Sequence, residues 1–255
     1  MTAARDGDQR ARDELVTAYL PLVYNIVGRA LNRHADVDDV VQETFIRALD
    51  GLPGLRDPDS FRSWLVTIAV NEIRRLRRPD QHHAHPADPL DDPHTLDAAD
   101  PGADFVDLTL VHLDLADQRR ETVEATRWLE PDDRTLLSLW WLEAAGRLTR
   151  TEVATALELS PQHTAVRVQR LKAQLDAARV VVRALAAVPP CDRLRQTVGV
   201  WDGVPSALWR KRIARHAREC VRCTGHWSGL APAEGLLAGF ALLPPTTALT
   251  LWATT

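Results

Sequence analysis

Residues 36–78 read DVDDVVQETFIRALDGLPGLRDPDSFRSWLVTIAVNEIRRLRR, and this stretch decides the fold. Apolar side chains recur every three or four positions in both halves, which predicts two amphipathic helices joined by a Gly/Pro loop. Asp36 or Asp38 can cap the first helix. Ser60 is the predicted N-cap of the second helix, and Pro79 ends it. The buried stripe of the first helix is predicted to be Val37, Val40, Val41, Thr44, Phe45 and Ala48.

The outward face of the first helix is polar and mostly acidic. Asp39, Gln42 and Glu43 lie opposite the apolar stripe. Two interpretations stay open: an ordinary solvated helix face, or a docking surface for a basic protein partner.

The second helix ends in a basic cluster. Residues 61–78 contain five arginines and one glutamate, a formal charge of +4 in a chain of −4. Arg74, Arg75, Arg77 and Arg78 can compensate the helix dipole, but four arginines in five residues exceed that need and favour a phosphate clamp. Trp64 shares the stripe of Phe61 and Ile68, so we expect a core residue, with base stacking as the alternative.

The whole chain is predicted to be all-α and to form two or three small domains. It has 255 residues, few aromatic side chains and no sustained period-two alternation. Its three cysteines suggest no disulfide framework, and no signal-peptide pattern precedes residue 36, so we expect a cytoplasmic protein without a membrane span. We find no glycine-rich phosphate loop and no nucleophile elbow, and therefore expect no enzyme.

Residues 79–107 mark a boundary between domains. They contain five Pro, eight Asp, four His and no Lys or Arg, a composition that predicts an extended linker. Its histidines can bind a metal or simply solvate the chain; they are His82, His83, His85 and His94.

A helix-turn-helix pattern follows. Thr149 and Glu152 have the spacing of a helix start, Leu159–Pro161 reads as a turn, and a long helix is predicted over His163–Arg183. Val166 and Leu171 are predicted to be buried. The candidates for phosphate and base contacts on the long helix are Gln162, His163, Thr164, Arg167, Gln169 and Arg170.

The cysteines of the chain form one metal-ligand pattern. His216 and Cys220 have His-x3-Cys spacing, Cys220 and Cys223 have Cys-x2-Cys spacing, and Cys191 completes a Cys3His set for structural Zn²⁺. The alternatives are three buried thiols with a surface histidine, or His226 as the fourth ligand. The core around this site is predicted to contain Trp201, Trp209, Trp227, Leu194, Leu208 and Ile213.

The run DDVVQETF followed by SFRSWLVTIAVNEIRRLRR resembles region 2 of the extracytoplasmic-function (ECF) sigma factors of the sigma-70 family. The resemblance implies docking on the clamp helices of the largest subunit of RNA polymerase, with a further contact to the flap of the second subunit. The docking residues are then Asp38, Asp39, Gln42, Glu43 and Phe45. It also implies that the loop Gly51–Ser60 and the helix near Asn71 capture a flipped base of the minus-10 promoter element. The predicted DNA-binding residues of this helix are Arg62, Asn71, Arg74, Arg75, Arg77 and Arg78.

Behind this segment, the helix-turn-helix resembles sigma region 4, the reader of the minus-35 element, and the cysteine segment resembles the zinc-binding anti-sigma fold. In the family the linker threads the polymerase, so the acidic segment is either a tether or an occupant of a basic channel. The predicted domains are region 2 (1–78), the linker (79–105), region 4 (106–187), a zinc-binding anti-sigma-like domain (188–230) and an apolar tail (231–255).

These resemblances predict an ECF-type sigma factor that directs promoter recognition and transcription initiation. Its partners are core RNA polymerase and promoter DNA, and its C-terminal zinc domain contacts the sigma domains and modulates them in cis. The tail is expected to pack on the zinc domain or to begin a further linker. The alternative function is a helix-turn-helix regulator that does not replace a sigma factor.

Overall fold

The computed structural model describes residues 1–31, 36–77, 105–238 and 242–254. Every regular element in these ranges is a helix and no strand occurs among them, which confirms the all-α prediction. Arg78 and residues 79–104 of the predicted linker, with its four histidines, lie outside the described residues.

Twelve α-helices are present in the described part of the chain, and short 3₁₀ turns join several of them. In chain order they are α1 (Thr2–Arg5), α2 (Gln9–Ala30), α3 (Val37–Gly51), α4 (Phe61–Leu76), α5 (Phe105–Ala125), α6 (Pro131–Ala144), α7 (Arg150–Ala156), α8 (Pro161–Ala186), α9 (Asp192–Val198), α10 (Ala207–Glu219), α11 (Ala233–Ala238) and α12 (Thr247–Trp252).

The described residues form two compact units. The first contains residues 1–77, 135–166 and 242–254, and the second contains residues 105–134 and 167–238. This division crosses the predicted domain boundaries. Most of α6, all of α7 and residues 242–254 belong with the region-2 helices, whereas most of α8 belongs with the cysteine segment.

Helices α2, α3 and α4 form the core of the first unit. All six residues of the predicted α3 stripe are buried, as the periodicity predicts. Asp36 occupies the N-cap position of α3, but neither it nor Asp38 bonds the first turn through its side chain. Trp64 packs against Phe61, with ring centroids 6.0 Å apart, which agrees with the core interpretation. A Cβ added at Gly51 meets the Trp64 ring at 2.9 Å, so this glycine leaves room for the indole.

The predicted start of α7 is confirmed as a capping box. Thr149 Oγ1 accepts a hydrogen bond from the Glu152 backbone N–H at 3.2 Å, and Glu152 Oε2 accepts from the Thr149 N–H at 2.7 Å. The helix ends in a Schellman motif, in which the Leu159 N–H bonds the carbonyl of Ala154. Glu158 occupies the left-handed position of this motif at φ 57°, where glycine is usual, and it forms the turn before α8.

A fully buried arginine organises the second unit. Arg179 on α8 is 0% exposed and pairs with Glu121 on α5 at 2.8 Å. It also donates to Gln118 Oε1 at 2.7 Å and to the Ala231 carbonyl at 2.8 Å. Arg183 pairs with the same Glu121 carboxylate. Three stretches of chain therefore meet around one charge network. A buried guanidinium is stable only when a counter-charge and hydrogen-bond acceptors surround it, as they do here.

The cysteine segment packs on the helices of the second unit. The Trp201 ring lies 5.2 Å from Trp128 and 6.1 Å from Trp209, measured between centroids. Arg210 on α10 is buried and donates to the Trp128 carbonyl at 2.6 Å. Of the predicted core residues, Leu194 and Ile213 are buried. The prediction that Leu208 is buried is wrong, since this side chain lies on the solvent side of α10 and is 60% exposed.

No helix among the described residues combines the length and the apolar character needed to cross a lipid bilayer.

Replacing Arg179 with Met is expected to lower the free energy of unfolding by about 3–5 kcal/mol, because Glu121 loses one of its two counter-charges and Gln118 loses a buried donor. The change is measured by urea unfolding. Arg170→Met is the matched control, since it removes an exposed arginine from the same helix. Equal, small losses in both variants would contradict the organising role of the Arg179 network.

Candidate docking surface, nucleic-acid residues and metal centre

The predicted docking residues on α3 differ in accessibility. Asp39 is exposed, and Asp38, Gln42 and Glu43 are half-buried. Phe45 is only 1% exposed, so its ring belongs to the packed side of the helix and is not a free docking group in this structure. The acidic face is therefore present, but Asp39 is its most accessible carboxylate.

The arginines predicted to form a phosphate clamp are engaged within the first unit. Arg62 forms a bidentate ion pair with Glu152, with Nε–Oε1 2.6 Å and Nη2–Oε2 2.7 Å. Arg77 donates to Thr135 Oγ1 at 2.8 Å and to the Ala30 carbonyl at 3.0 Å. Arg74 approaches the Leu157 carbonyl at 3.4 Å. An open arginine clamp is thus not what this structure shows, because α4 uses these side chains to hold α7 and neighbouring segments.

Asn71 and Arg75, the other two described DNA-binding candidates of this helix, lie on a surface that carries both basic and acidic side chains. Asn71 is exposed and accepts a hydrogen bond from Arg74 at 3.2 Å. Arg75 is exposed and lies 3.5 Å from Glu72 and 3.6 Å from Glu43. These surface pairs are weak, so both residues stay accessible to a nucleic acid.

Glu152 has a second role that its helix-start motif does not reveal. The carboxylate that caps α7 also receives both guanidinium bonds of Arg62. Burial raises the pKa of Glu152, but the hydrogen bonds from Arg62 and Thr149 lower it by more, so the net pKa lies below the ordinary value. At neutral pH the group is therefore ionised and the ion pair is intact.

Helix α8 presents most of its predicted DNA-contact residues. Gln162, His163, Gln169 and Arg170 are exposed and Arg167 is half-buried. Thr164, also in the predicted set, is 0% exposed and its hydroxyl donates to the Ser160 carbonyl at 3.0 Å, so its side chain is not on the surface of this structure.

The predicted buried face of α8 is also displaced, as two valines show. Val166, predicted to be buried, is 50% exposed, whereas Val168 is buried together with Leu171. The buried stripe runs through residues 164, 168, 171 and 175, spaced by three or four, so the outward face is displaced from the one predicted.

Cys191, His216, Cys220 and Cys223 converge on one point in the second unit. Their ligand atoms all lie within 4.8 Å of one another, and none of the thiols forms a disulfide. Cys191 precedes α9, His216 lies in the last turn of α10, and the other two follow that helix. The predicted set is therefore brought together, and His226 is not part of it.

The spacing of the ligand atoms fits a tetrahedral zinc ion. With Zn–S of about 2.3 Å and Zn–N of about 2.0 Å, a tetrahedron has S···S edges of about 3.8 Å and S···N edges of about 3.5 Å. The structure has Cys191 Sγ–Cys220 Sγ at 3.8 Å and Cys191 Sγ–His216 Nε2 at 3.6 Å. Cys223 Sγ–His216 Nε2 measures 3.4 Å.

The thiols also have the electrostatics of a cation site. The Leu194 backbone N–H contributes most to lowering the pKa of Cys191, to about 6, with help from His216 and the other thiols and against the effect of burial. Burial and the neighbouring sulfurs raise the pKa of Cys223 to about 12. One thiolate thus forms readily, whereas three require a positive ion at their centre.

Comparison with known proteins places residues 15–82 in the Sigma-70 region 2 family. This match spans α3, α4 and most of α2. Over these residues the chain is similar to a sigma-70 region 2 domain.

Relatives of this chain are RNA polymerase sigma factors. RNA polymerase sigma-H factor of Pseudomonas aeruginosa is 29% identical over 181 residues, which cover 68% of this chain and 88% of that protein. ECF RNA polymerase sigma-E factor of Escherichia coli K12 is 41% identical over 78 residues, 29% of this chain. That match spans only 40% of the sigma-E factor. The higher identity is thus to the sigma-E factor over 78 residues, and the longer match, at 29% identity, is to the sigma-H factor.

Among solved structures, the complex of CnrH with the cytosolic domain of CnrY contains a similar chain. The two are 27% identical, with a TM-score of 0.42, over 69% of this chain and 92% of that one.

Sequence reasoning missed the residues that pack against α3. Residues 242–254 pack in the first unit, where Thr246 donates to Asp38 Oδ2 at 2.9 Å. Residues 242–254 belong to the first unit and α11 belongs to the second, so the predicted tail does not pack as one piece. The helix within residues 242–254 has only six residues, which is too short for a sequence pattern to predict. Its position against α3 is visible only in the structure.

His216→Ala is expected to abolish stoichiometric zinc binding, because it removes one of four ligands. His226→Ala should keep one zinc per chain, since His226 lies outside the ligand set. Elemental analysis of the purified proteins, with a thiolate-release assay on adding chelator, measures both. Loss of zinc from the His226 variant alone would assign the fourth ligand to His226.

Glu152→Gln is expected to cost about 1 kcal/mol of stability at neutral pH, because it weakens an ion pair in which Arg62 is partly screened by solvent. Since the folded pKa of Glu152 is lowered, its contribution is present above the unfolded pKa and is lost as pH falls through the folded pKa. The stability difference between parent and variant, measured by urea unfolding from pH 7 to pH 3, should therefore shrink in acid. A difference that is constant with pH would contradict an ionised Glu152.

Proposed function

We propose that this chain acts as a sigma factor that brings core RNA polymerase to promoters. The match of residues 15–82 to Sigma-70 region 2 carries this proposal. The helical packing and the acidic outer face of α3 support it, because the exposed Asp39 carboxylate and the acidic groups beside it suit a basic partner surface.

Polymerase binding is assigned to the α3 surface, with Asp39 at its most accessible position and Asp38, Gln42 and Glu43 beside it. Phe45 can contribute only when the residues packed over it move away. The clamp helices of the largest polymerase subunit are the proposed partner on this side, and the flap of the second subunit is the proposed partner of the helix-turn-helix.

Promoter recognition is assigned to two DNA surfaces. Asn71 and the arginines of α4 serve the minus-10 element, and the exposed residues of α8 serve the minus-35 element. Arg62, Arg74 and Arg77 are held by α7 and adjoining segments, so their phosphate contacts require α4 to separate from these partners. In this proposal the present packing of α4 is a closed form that partly sequesters the minus-10 surface.

The Cys3His centre is proposed to hold structural zinc. All four positions are protein ligands, which leaves no open site for catalysis. The ion would clip α9 to the end of α10 and so support the Trp201 and Arg210 contacts on the second unit. A redox role for the thiols is the alternative, and peroxide-dependent zinc release at unchanged fold would favour it.

Regulation in cis by the C-terminal region is part of the proposal. The cysteine segment is integral to the second unit through Arg210 and Trp201, so deleting it would expose the packed face around Trp128. Point substitutions therefore test regulation more cleanly than removal of the segment.

A helix-turn-helix regulator that does not replace a sigma factor is the second candidate. The exposed polar residues of α8 and the engaged arginines of α4 favour it. Core polymerase distinguishes the two, because a regulator binds DNA but does not confer initiation on core polymerase.

Asp39→Lys is expected to weaken binding to core polymerase about tenfold or more by reversing the accessible charge of the docking face. Binding is measured by fluorescence titration, and function by run-off transcription from a promoter library with core polymerase. Asp50→Lys, exposed on the same helix outside the docking set, is the control. A parent chain that binds DNA but never confers initiation would support the regulator instead.

A further inference from the structure

The residues at 242–254, here named the tail segment, are held on α2 by a two-point amide contact. The side-chain Nδ2 of Asn25 donates to the Leu243 carbonyl at 2.9 Å, and the Leu243 N–H donates to Asn25 Oδ1 at 2.9 Å. Asn25 is 1% exposed, so its amide is removed from water and paired with the backbone of the tail segment. Such a paired contact fixes the register of the segment on the helix.

A second contact engages the start of α3. Thr246 Oγ1 donates its proton to Asp38 Oδ2 at 2.9 Å. As the N-cap of α12, Thr246 Oγ1 also accepts the Leu249 backbone N–H at 3.2 Å. The carboxylate of Asp38 is thereby used within the chain, and the bond is charge-assisted.

A third contact is apolar. The Trp252 ring lies 6.3 Å from the Phe45 ring between centroids, at an interplanar angle of 50°. Leu249 is 0% exposed and Ala253 is 5% exposed, so one face of α12 is removed from solvent. Helix α12 has six residues, too few to be stable in water alone, and it therefore depends on this surface for its structure.

We propose that the tail segment is an internal competitor of RNA polymerase for the α3 surface, an inference that rests on the proposed sigma-factor function. Thr246 bonds Asp38, and the Trp252 ring contacts the Phe45 ring. Asp38 and Phe45 are two of the five residues assigned to polymerase docking. The tail segment and the polymerase cannot contact these side chains at the same time. Polymerase binding therefore requires displacement of the tail segment.

The competitor differs from the zinc domain in position and in chemistry. It lies in the first unit and uses one amide pair, one hydroxyl–carboxylate bond and one aromatic contact. Attachment to the same chain gives it an effective concentration that intermolecular partners match only at about millimolar levels. The apparent affinity for polymerase falls in proportion to the fraction of molecules whose α3 is uncovered.

Leu249→Glu tests the proposal by placing a carboxylate at the buried position of α12, next to the acidic α3. Leu251→Glu is the matched control, since it adds the same charge to the same helix at a side chain that is 64% exposed. Hydrogen exchange of the α3 and α12 amides reports release of the tail segment. Titration with core polymerase reports affinity. We expect release and about tenfold tighter binding for Leu249→Glu, with parent behaviour for Leu251→Glu.

A chain ending at residue 240 provides a second variant, which removes the tail segment without adding charge and should bind polymerase as tightly as Leu249→Glu. A synthetic peptide of residues 242–254 should reverse that gain, whereas a scrambled peptide should not. If α3 is uncovered in either variant and the affinity stays at the parent value, the competitor proposal is wrong and the sigma-factor function stands. If no form binds polymerase, the sigma-factor function itself is wrong, and the competitor proposal with it.

Discussion

The carboxylate of Glu152 is the point at which the parts of the first unit are joined. It caps α7 through the Thr149 backbone N–H and at the same time accepts two bonds from Arg62 on α4. Helix α7 has only seven residues, so its position depends on such fixed contacts more than on its own helical stability. The proposed phosphate contact of Arg62 would use the guanidinium that pairs with Glu152 here. This packing and the proposed DNA contact of Arg62 therefore exclude each other.

The sequence predicts the helices of the first unit well because their apolar period is regular. The buried stripe of α3, the capping box of α7 and the turn before α8 follow from local spacing, and all three are found. The partners of charged residues do not follow from local spacing. Arg62 and Glu152 are separated by 90 positions, and nothing in the pattern of either helix indicates their pairing. On α8, apolar residues occur on two sides of the helix, so the sequence does not decide which side is buried. Thr164 was predicted at the surface and is buried, whereas Val166 was predicted to be buried and is exposed.

The candidate metal site was predictable because coordination chemistry restricts both residue type and spacing. His-x3-Cys and Cys-x2-Cys place three ligands locally, and Cys191 was the only cysteine left to complete the set. The surroundings of the centre were less predictable. Leu208 was assigned to a small separate core, whereas the structure uses Trp128 and the buried Arg210 to join the segment to longer helices. The Arg179 network extends this pattern, since one buried charge links α5, α8 and the chain after the cysteines.

The distance along the chain between α3 and the segment that covers it has a consequence during synthesis. Roughly 190 residues separate the two, and ribosomes add about 5–20 residues per second. The acidic face of α3 therefore leaves the ribosome roughly 10–40 seconds before its cover. During that interval the nascent chain presents an uncovered α3. The accessibility of the α3 surface therefore differs between the chain still being synthesised and the full-length chain.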